Sequence, residues 1–278
     1  MNHAMARNRL ADKFNTVHSQ RRGALITFVT AGDPSPEVSK NLVSQLPKAG
    51  SDIIELGMPF SDPMADGPVI QSSSQRALAA GMTLSRTLSL VKDFRLRDDV
   101  TPIILMGYFN PIYQYGSKRF VADAITAGVD GLIVVDLPPE EDKELCYPSL
   151  KAGLNWIRLI TPTTDETRIQ TVLKNSSGFV YYVSITGITG TQSANPEALS
   201  QSIRRLKQHT DLPIAVGFGI KTPKQVVDAV KHAEAVVVGS TLVTEIEQGL
   251  KEAGERNLEL VDRVLNKVRS LSTALRNT

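Results

Sequence analysis

Several kinds of protein and of site are excluded by what this sequence has little of. One cysteine, Cys146, excludes a disulfide within the chain and a zinc site built on cysteine pairs. The histidines lack the spacing of metal ligands, so we predict no metal site; they are His3, His18, His209 and His232. Aromatic residues make up 5% of the chain and the net charge is +2 with both signs mixed, so we predict no nucleic-acid partner.

Long apolar runs are also missing. No stretch of about 18 apolar residues could cross a membrane, and the N-terminal segment lacks the apolar core of a signal peptide. We therefore expect a soluble, cytoplasmic protein with no membrane association. A length of 278 residues allows one large domain or two small ones, and no linker composition interrupts it, so we predict a single domain over 1–278.

A strand–turn–helix unit recurs along the chain. Eight apolar segments alternate with helical patterns, at 24–30, 52–56, 102–106, 131–135, 156–160, 179–183, 213–216 and 235–238. Strands this apolar need cover on both faces, which predicts a parallel sheet, and eight such units in about 250 residues are typical of a (β/α)8 barrel. A doubly wound open sheet is the alternative, but the dinucleotide-binding glycine pattern that it would favour is missing.

Two details of the predicted helices concern the frame of the barrel. The polar segment 1–22 carries Leu10, Phe14 and Val17 at helical spacing, which predicts an extra N-terminal helix that plugs the bottom of the barrel. The helix that opens at Ser35 and Pro36 is expected to end early, at Pro47.

The stretch 53–67 combines a strand with a loop of unusual chemistry. Glu55 stands in an apolar strand, where burial of an unpaired carboxylate should raise its pKa toward neutrality. Asp62 and Asp66 follow in a loop broken by proline and glycine. Two carboxyl groups with pKa values pushed apart suit acid/base catalysis. An ion-paired Glu55 and turn-forming aspartates remain the plainer interpretation of the same spacing.

Polar residues and glycines gather where other predicted strands end, which in a barrel is the active-site face. The polar residues are Tyr108, Asn110, Asp136, Tyr181 and Thr189. Glycine follows the last three strands, at 187–190, 217–219 and 239–240, where barrels bind phosphate through backbone N–H groups. The long Gly/Thr/Ser-rich segment 186–195 predicts a lid. Apolar lining at the same mouth would come from Phe28, Met106, Ile133 and Tyr181.

The stretch 54–67, IELGMPFSDPMADG, resembles the signature of the tryptophan synthase alpha chain family. Further motifs follow in the family's order: FVTAGDP at 28–34, GITG at 187–190, GFGI at 217–220 and GS at 239–240. The resemblance implies a lyase of tryptophan biosynthesis that cleaves indole-3-glycerol phosphate to indole and glyceraldehyde 3-phosphate by a retro-aldol reaction. It also implies that Glu55 and Asp66 are catalytic.

The same resemblance implies roles for the other candidate residues. Thr189 would orient Asp66 when the lid closes, and Tyr181 would lie near Glu55. Phe28, Met106 and Ile133 would line the indole pocket. The phosphate would be held by Gly190, Gly219, Gly239 and Ser240.

The resemblance further implies a partner. An alpha chain of this family docks on a beta chain that carries pyridoxal phosphate, in an α2β2 tetramer, and needs no cofactor of its own. The sequence leaves two alternatives open: another phosphate-binding barrel, such as a sugar-phosphate isomerase or lyase, and a non-catalytic subunit that only activates a partner. Neither alternative requires the pairing of Glu55 with Asp66.

Overall fold

The structure is a computed structural model that describes residues 8–184, 196–217, 219–253 and 257–277. The strands in these ranges are β1 (Ala24–Thr30), β2 (Ile53–Gly57), β3 (Ile103–Gly107), β4 (Gly131–Val134), β5 (Asn155–Trp156), β6 (Arg158–Ile160), β7 (Val180–Val183), β8 (Ile214–Gly217) and β9 (Ala235–Val238). They form one parallel sheet in the order β5-β4-β3-β2-β1-β9-β8-β7-β6. Neighbours in sequence are neighbours in space, as in a barrel.

Helices separate the strands along the chain. They are α1 (Arg9–Ser19), α2 (Pro36–Ala49), α3 (Pro68–Ala79), α4 (Leu84–Arg95), α5 (Phe109–Tyr115), α6 (Ser117–Ala127), α7 (Cys146–Ala152), α8 (Glu166–Leu173), α9 (Pro196–Lys207), α10 (Pro223–Val230), α11 (Ser240–Ala253) and α12 (Asn257–Arg276). A short 3₁₀ turn spans Pro139–Glu141. None of the helices in the described ranges is long and apolar enough to cross a membrane.

The barrel closes at its fifth strand, which is divided at Ile157. β5 pairs with β4, whereas β6 pairs with β7. The N–H of Ile157 donates to the carbonyl of Leu132 at 2.9 Å, so the chain stays in the ladder between the two halves. β5 and β6 are therefore one barrel strand that is paired on both sides, and the predicted (β/α)8 barrel is confirmed.

Each strand buries both of its faces, as the unbroken apolar runs predict. On β2, Ile53 belongs to the cluster inside the barrel, while Ile54 and Leu56 belong to the cluster between the sheet and the helices. Side chains alternate along a strand, so Glu55 lies on the same inner face as Ile53. The strand thus directs a carboxyl group into the barrel.

The predicted N-terminal helix is present. Leu10, Phe14 and Val17 of α1 are buried in the cluster inside the barrel, and the ring of Phe14 packs against Phe179, the residue before β7, with centroids 5.9 Å apart. Since α1 contacts the start of β7, it closes the end of the barrel from which the strands begin. The spacing of three apolar residues was sufficient to predict this helix.

One helix boundary differs from expectation, and two other segments depend on distant partners. Pro47 lies inside α2, which continues to Ala49, because only the end of the last turn follows the proline and Gly50, with φ of 108°, closes the helix beyond it. The segment after β3 forms α5. Its first N–H, at Phe109, donates to the distant carboxylate of Asp136 at 2.7 Å, a cap that local sequence does not reveal.

A tertiary contact also shapes the segment after β4. Pro138 and Pro139 open only the 3₁₀ turn, and α7 begins at Cys146. Between the two, Asp142 is drawn into the core, where its carboxylate pairs with Arg158 of β6 and accepts a hydrogen bond from Asn175 at 2.7 Å. That tertiary pair diverts the chain from a continuous helix.

An acidic residue immediately before a strand anchors the neighbouring strand at the lower end of the barrel. The carboxylates of Asp52, Asp130 and Glu234 precede β2, β4 and β9. They accept hydrogen bonds from the backbone N–H groups of Leu25 (2.9 Å), Ile103 (2.8 Å) and Ile214 (2.8 Å), respectively. Asp52 and Asp130 each end an Ala-Gly-X-Asp segment, at 49–52 and 127–130, and therefore serve the same structural purpose; Glu234 serves it without that segment.

Each anchoring carboxylate has a cationic partner. Arg22 holds Asp52 through two nitrogens, at 2.7 and 2.8 Å. Arg95 holds Asp130 at 2.6 Å, with both side chains almost fully buried. A buried pair can contribute little net free energy to folding, but removal of one partner leaves an uncompensated buried charge. Loss of either partner should therefore destabilise the barrel strongly.

We predict that Asp130→Asn lowers the free energy of unfolding by about 3 kcal/mol, because the buried guanidinium of Arg95 loses its counter-charge. Asp93→Asn is the control, since Asp93 forms an exposed pair with Lys40, and it should change the same free energy by less than about 0.5 kcal/mol. Urea unfolding followed by circular dichroism measures both. Equal effects of the two substitutions would contradict the assigned role of Asp130.

Candidate active site

Glu55 is a carboxyl group inside the barrel with little to compensate its burial. It pairs in register with Phe28 on one side and Ile104 on the other. Its exposed fraction is 1%, and its Oε2 atom has no hydrogen-bond partner. Burial raises the pKa of Glu55 to about 8, and the negative charge of Asp66 adds to the rise. Glu55 is therefore mostly protonated at neutral pH.

Asp66 reaches the same mouth from the loop after β2. Its backbone is fixed by a bond from its N–H to the carbonyl of Pro63 at 3.0 Å and by the Gln71 amide, which donates to its carbonyl at 2.9 Å. The hydroxyl of Tyr108 donates to Oδ2 of Asp66 at 3.1 Å and accepts the N–H of Ala65 at 3.0 Å. One phenol thus clamps both the backbone and the carboxylate of the loop.

The two carboxyl groups have different surroundings. Burial raises the pKa of Asp66, but the hydrogen bond from Tyr108 counteracts that rise. Glu55 has no such donor at Oε2. Burial therefore raises the pKa of both acids, but only at Asp66 does a hydrogen-bond donor favour the ionised form, and this asymmetry is of the kind that acid/base catalysis uses.

Tyr108 was noticed in the sequence as a polar residue at a strand end but was given no role. The structure makes it the side chain that holds Asp66, and burial raises its own pKa, so the phenol remains protonated and able to donate. The available signal was its position directly after β3, next to the strand that carries Glu55. Thr189, which was expected to orient Asp66, lies outside the described residues.

The predicted apolar lining meets at this mouth. Phe28, Ile133 and Tyr181 are buried, and Met106 is half-buried and packs against the inner cluster. Met106 and Ile133 are partners in register, one layer above Glu55 along the barrel. Burial raises the pKa of Tyr181, and the negative charges of Glu55 and Asp66 raise it further.

Two glycines make room for these aromatic side chains. A Cβ atom on Gly57 would lie 2.7 Å from Cζ of Phe28, and one on Gly217 would lie 2.3 Å from the hydroxyl oxygen of Tyr181. Both distances are far below van der Waals contact. Gly217 was assigned to phosphate binding in the sequence, and the structure gives it a second purpose, which is to seat Tyr181.

The described part of the predicted phosphate site lies after β8 and β9. Gly219 has φ of 74°, a conformation that favours glycine, and α11 begins at Ser240 directly after Gly239. The hydroxyl of Thr241 donates to the carbonyl of Ile220 at 2.9 Å, which joins the two loops. The first turn of a helix leaves N–H groups free of helical partners, so this junction suits an anion. Gly190 and the predicted lid lie outside the described residues.

Three other polar candidates do not join the site. Asp62 is exposed and bonds to its neighbour Ser61, and Asn110 is exposed on α5. Asp136 caps α5 through Phe109. For Asp136 the plainer interpretation, a cap, is correct.

The described site therefore combines a proton donor, a nearby carboxylate, apolar walls and an anion-binding helix start. Within the same described ranges, no group of three His, Cys, Asp or Glu side chains is arranged to hold a metal ion. The arrangement can protonate a substrate that has an apolar end at the barrel centre and an anionic end at α11.

Comparisons with known proteins agree on one family. The family model described as tryptophan synthase alpha chain matches residues 14–276. The crystal structure of tryptophan synthase subunit alpha from Legionella pneumophila str. Paris is 38% identical, with 98% of this chain and 100% of that chain covered and a TM-score of 0.90. A ligand-free tryptophan synthase structure from M. tuberculosis is 30% identical, with 97% and 100% covered and a TM-score of 0.85.

We predict that Tyr108→Phe raises the pKa of the Asp66 carboxyl, because the ionised form loses the phenol as a hydrogen-bond donor. A hydrogen bond to a charged group contributes about 1.5 kcal/mol, which corresponds to about one pH unit. Carboxyl ¹³C NMR titration measures the change. Tyr115→Phe is the matched control, since the Tyr115 hydroxyl donates to Asp123 and should leave Asp66 unaffected. An unchanged Asp66 titration in Tyr108→Phe would contradict the prediction.

Proposed function

This chain belongs to the tryptophan synthase alpha chain family, whose reaction cleaves indole-3-glycerol phosphate to indole and glyceraldehyde 3-phosphate, and we propose that Glu55 and Asp66 perform that cleavage. The family makes the chain a lyase of tryptophan biosynthesis. The observation that supports the proposal most strongly is the buried Glu55, protonated at neutral pH and opposite a hydrogen-bonded Asp66. We also propose that residues 1–278 form a single barrel domain.

The reaction moves one proton in total, from a hydroxyl of the substrate to carbon C3 of its indole ring. Protonation of C3 turns the ring into an iminium cation, because C3 becomes tetrahedral and positive charge falls on the ring nitrogen. The bond between C3 and the hydroxyl-bearing carbon then breaks. Its electron pair restores the C2–C3 double bond of indole, the hydroxyl loses its proton, and the carbon becomes the aldehyde of glyceraldehyde 3-phosphate.

Glu55 is placed to serve both ends of this proton transfer. Its neutral form donates to C3, and the carboxylate that results accepts the hydroxyl proton, so the residue returns to its starting state. A catalytic acid is most effective when its pKa lies near the working pH, and that of Glu55 is raised to about 8. Its position on a buried strand limits its motion relative to the ring.

Asp66 has the complementary role. An ionised carboxylate near the indole N–H stabilises the positive charge that develops on the nitrogen when C3 is protonated. The donor hydrogen bond from Tyr108 favours the ionised form that this role needs. Because Asp66 lies on a loop after β2 and Glu55 within β2, the two groups can contact different parts of one planar ring.

The remaining predicted residues would bind the two ends of the substrate. Phe28, Met106, Ile133 and Tyr181 supply the apolar surface for the indole ring. Gly219, Gly239 and Ser240 supply backbone N–H groups and a hydroxyl for the phosphate at the start of α11. From the sequence motif alone, we propose that Thr189 orients Asp66 and that Gly190 helps to bind the phosphate.

The family implies no cofactor in this chain. We propose that its partner is a tryptophan synthase beta chain carrying pyridoxal phosphate, in an α2β2 assembly in the cytoplasm. Exposed apolar side chains at the active-site mouth support such a partner. Met64 on the loop after β2 is 85% exposed, and Tyr113 of α5 is 60% exposed. Both elements lie beside Asp66 and Tyr108, so a partner that covers them would act on the catalytic loop.

Substitution of the acids tests the assignment. We expect Glu55→Gln and Asp66→Asn each to lower the rate of indole release from indole-3-glycerol phosphate by about a hundredfold or more. Glutamine can neither donate nor accept the transferred proton, and asparagine cannot carry the negative charge that stabilises the ring cation. The assay is run with and without a beta chain. Asp62→Asn is the matched control, because it removes an exposed carboxylate from the same loop and should leave the rate within about twofold.

The outcomes separate the alternatives that the sequence left open. Indole release by the wild type, lost in both acid variants and retained in Asp62→Asn, supports the proposal. A wild type that binds phosphate but releases no indole, alone or with a beta chain, would be consistent with the barrel fold and its anion site. It would contradict the catalytic roles proposed for Glu55 and Asp66.

The pH dependence gives an independent prediction. Glu55 must be protonated in the free enzyme, so kcat/KM should fall as the pH rises through about 8. Asp66 must be ionised, so kcat/KM should also fall as the pH is lowered through the raised pKa of Asp66. Tyr108 and Tyr181 beside the two acids have pKa values raised above their ordinary one and stay neutral across this range. Asp62 and Asp136 are the other carboxyl groups near this mouth among the described residues, and both are exposed. An alkaline limb that persists in the residual activity of Glu55→Gln would contradict the assignment to Glu55.

A further inference from the structure

Asp66 is positioned by the helix that follows it more than by the strand that precedes it. It lies only two residues before Pro68, where α3 begins, whereas Gly57, the end of β2, is nine residues away. The amide of Gln71 in the first turn of α3 donates to the carbonyl of Asp66 at 2.9 Å. The placement of α3 therefore decides, together with the Tyr108 hydroxyl, where the carboxylate meets the substrate.

The inner face of α3 is unusually poor in apolar side chains. Its buried residues are Ser73, Ser74 and Ala77, none of which can contribute much hydrophobic stabilisation. By contrast, α2 buries Val38, Leu42 and Leu46. A helix without a large apolar stripe depends on polar contacts for its exact position.

Two polar contacts attach α3 to the end of β1 and the turn after it. The hydroxyls of Ser73 and Thr30 are 2.6 Å apart. Arg76 donates through Nε and Nη2 to the two oxygens of Asp33, at 2.7 and 2.9 Å. Asp33 is 1% exposed, and burial raises its pKa while Arg76 lowers it. The arginine fork is thus the compensation for a buried carboxylate.

Arg76 also interacts with the helix at the other end of the site. The hydrogen bond and charge of Lys251 lower the pKa of Glu247 on α11, and the charge of Arg76 lowers it slightly further. The charge of Glu247 in turn adds a little to the raised pKa of Asp33, which comes mainly from burial. Ser240 at the start of the same helix belongs to the proposed phosphate site. The charge of Arg76 therefore acts on a carboxylate of the β1 turn, which it contacts, and more weakly on one of α11.

We propose that Arg76 is a positioning residue for the cleavage reaction, because by holding α3 on Asp33 it fixes where the preceding loop presents Asp66 to Glu55. This inference rests on the proposed catalytic role of Asp66. Arg76 is eight residues beyond Pro68, or about 12 Å along the helix axis. A tilt of about 5° at that end displaces the start of α3 by about 1 Å, and a displacement of this size can lower a rate about a hundredfold.

The variants Arg76→Gln and Arg76→Lys test this proposal. Arg76→Gln removes the charge and the fork, and we expect kcat for indole release to fall about tenfold or more while KM changes less than about threefold. Arg76→Lys keeps the charge without the planar fork and should give an intermediate kcat. In both variants Met82, which packs against Gly32 of the β1 turn, still holds the far end of α3, so the helix should remain folded.

The acid limb of the pH profile separates positioning from simple loss of stability. If α3 shifts, Asp66 loses the hydrogen bond from Tyr108, and the acid limb moves to higher pH. Arg95→Gln is the matched control, because it breaks another buried arginine–aspartate pair, with Asp130, at the opposite end of the barrel. It should destabilise the protein but leave kcat of the folded fraction and the acid limb as in the wild type.

Each outcome decides the proposal. A folded Arg76→Gln variant with the wild-type kcat and acid limb would overturn it. A loss of activity that is fully accounted for by the unfolded fraction, in Arg76→Gln as in Arg95→Gln, would also overturn it. If Arg76→Gln does not fold, the kcat and acid limb of Arg76→Lys decide in the same way. An inactive wild type, or an Asp66→Asn variant with full activity, would instead contradict the proposed function.

Discussion

The burial of one carboxyl group without a partner is the constraint on which this active site depends. Glu55 replaces an aliphatic side chain on the inner face of β2, between Phe28 and Ile104. If water or a cation reached it, its pKa would return toward the ordinary range and no acid would be available at neutral pH. The apolar layer around Glu55 is therefore needed for the chemistry. The packing of the rest of the barrel offsets the unfavourable free energy of burying this carboxyl group.

The second acid is supplied by a different kind of structure. Glu55 lies on a strand that is fixed by ladders on both sides, whereas Asp66 lies on a loop whose position follows α3. Because the buried residues of α3 are small, the Ser73 hydroxyl and the Arg76 fork determine the position of the helix. A large apolar stripe would instead have fixed that position by packing alone. A loop held this way can be adjusted by contacts at the mouth without disturbing Glu55.

The sequence predicted the features that depend on local pattern and missed those that depend on distant partners. Apolar runs predicted the barrel strands, and a single acid within such a run identified Glu55. The pairing of Tyr108 with Asp66 joins residues 42 positions apart, and that of Asp136 with Phe109 joins residues 27 apart. No local spacing encodes either contact. The same reason explains why Gly217 was interpreted through the phosphate alone, since its contact with Tyr181 comes from another strand.

Burial by itself does not separate the proposed catalytic acids of this barrel from the structural ones. Asp52 and Asp130 are about as buried as Glu55, yet each has an arginine within hydrogen-bond distance and accepts a backbone N–H. Within the described ranges, neither Glu55 nor Asp66 forms an ion pair with lysine or arginine. Asp33 shows that position in the barrel does not separate them either, because it is buried just after the end of β1 and is still paired with Arg76. The property that sets Glu55 and Asp66 apart is therefore burial without a cationic partner at the face where barrels perform chemistry.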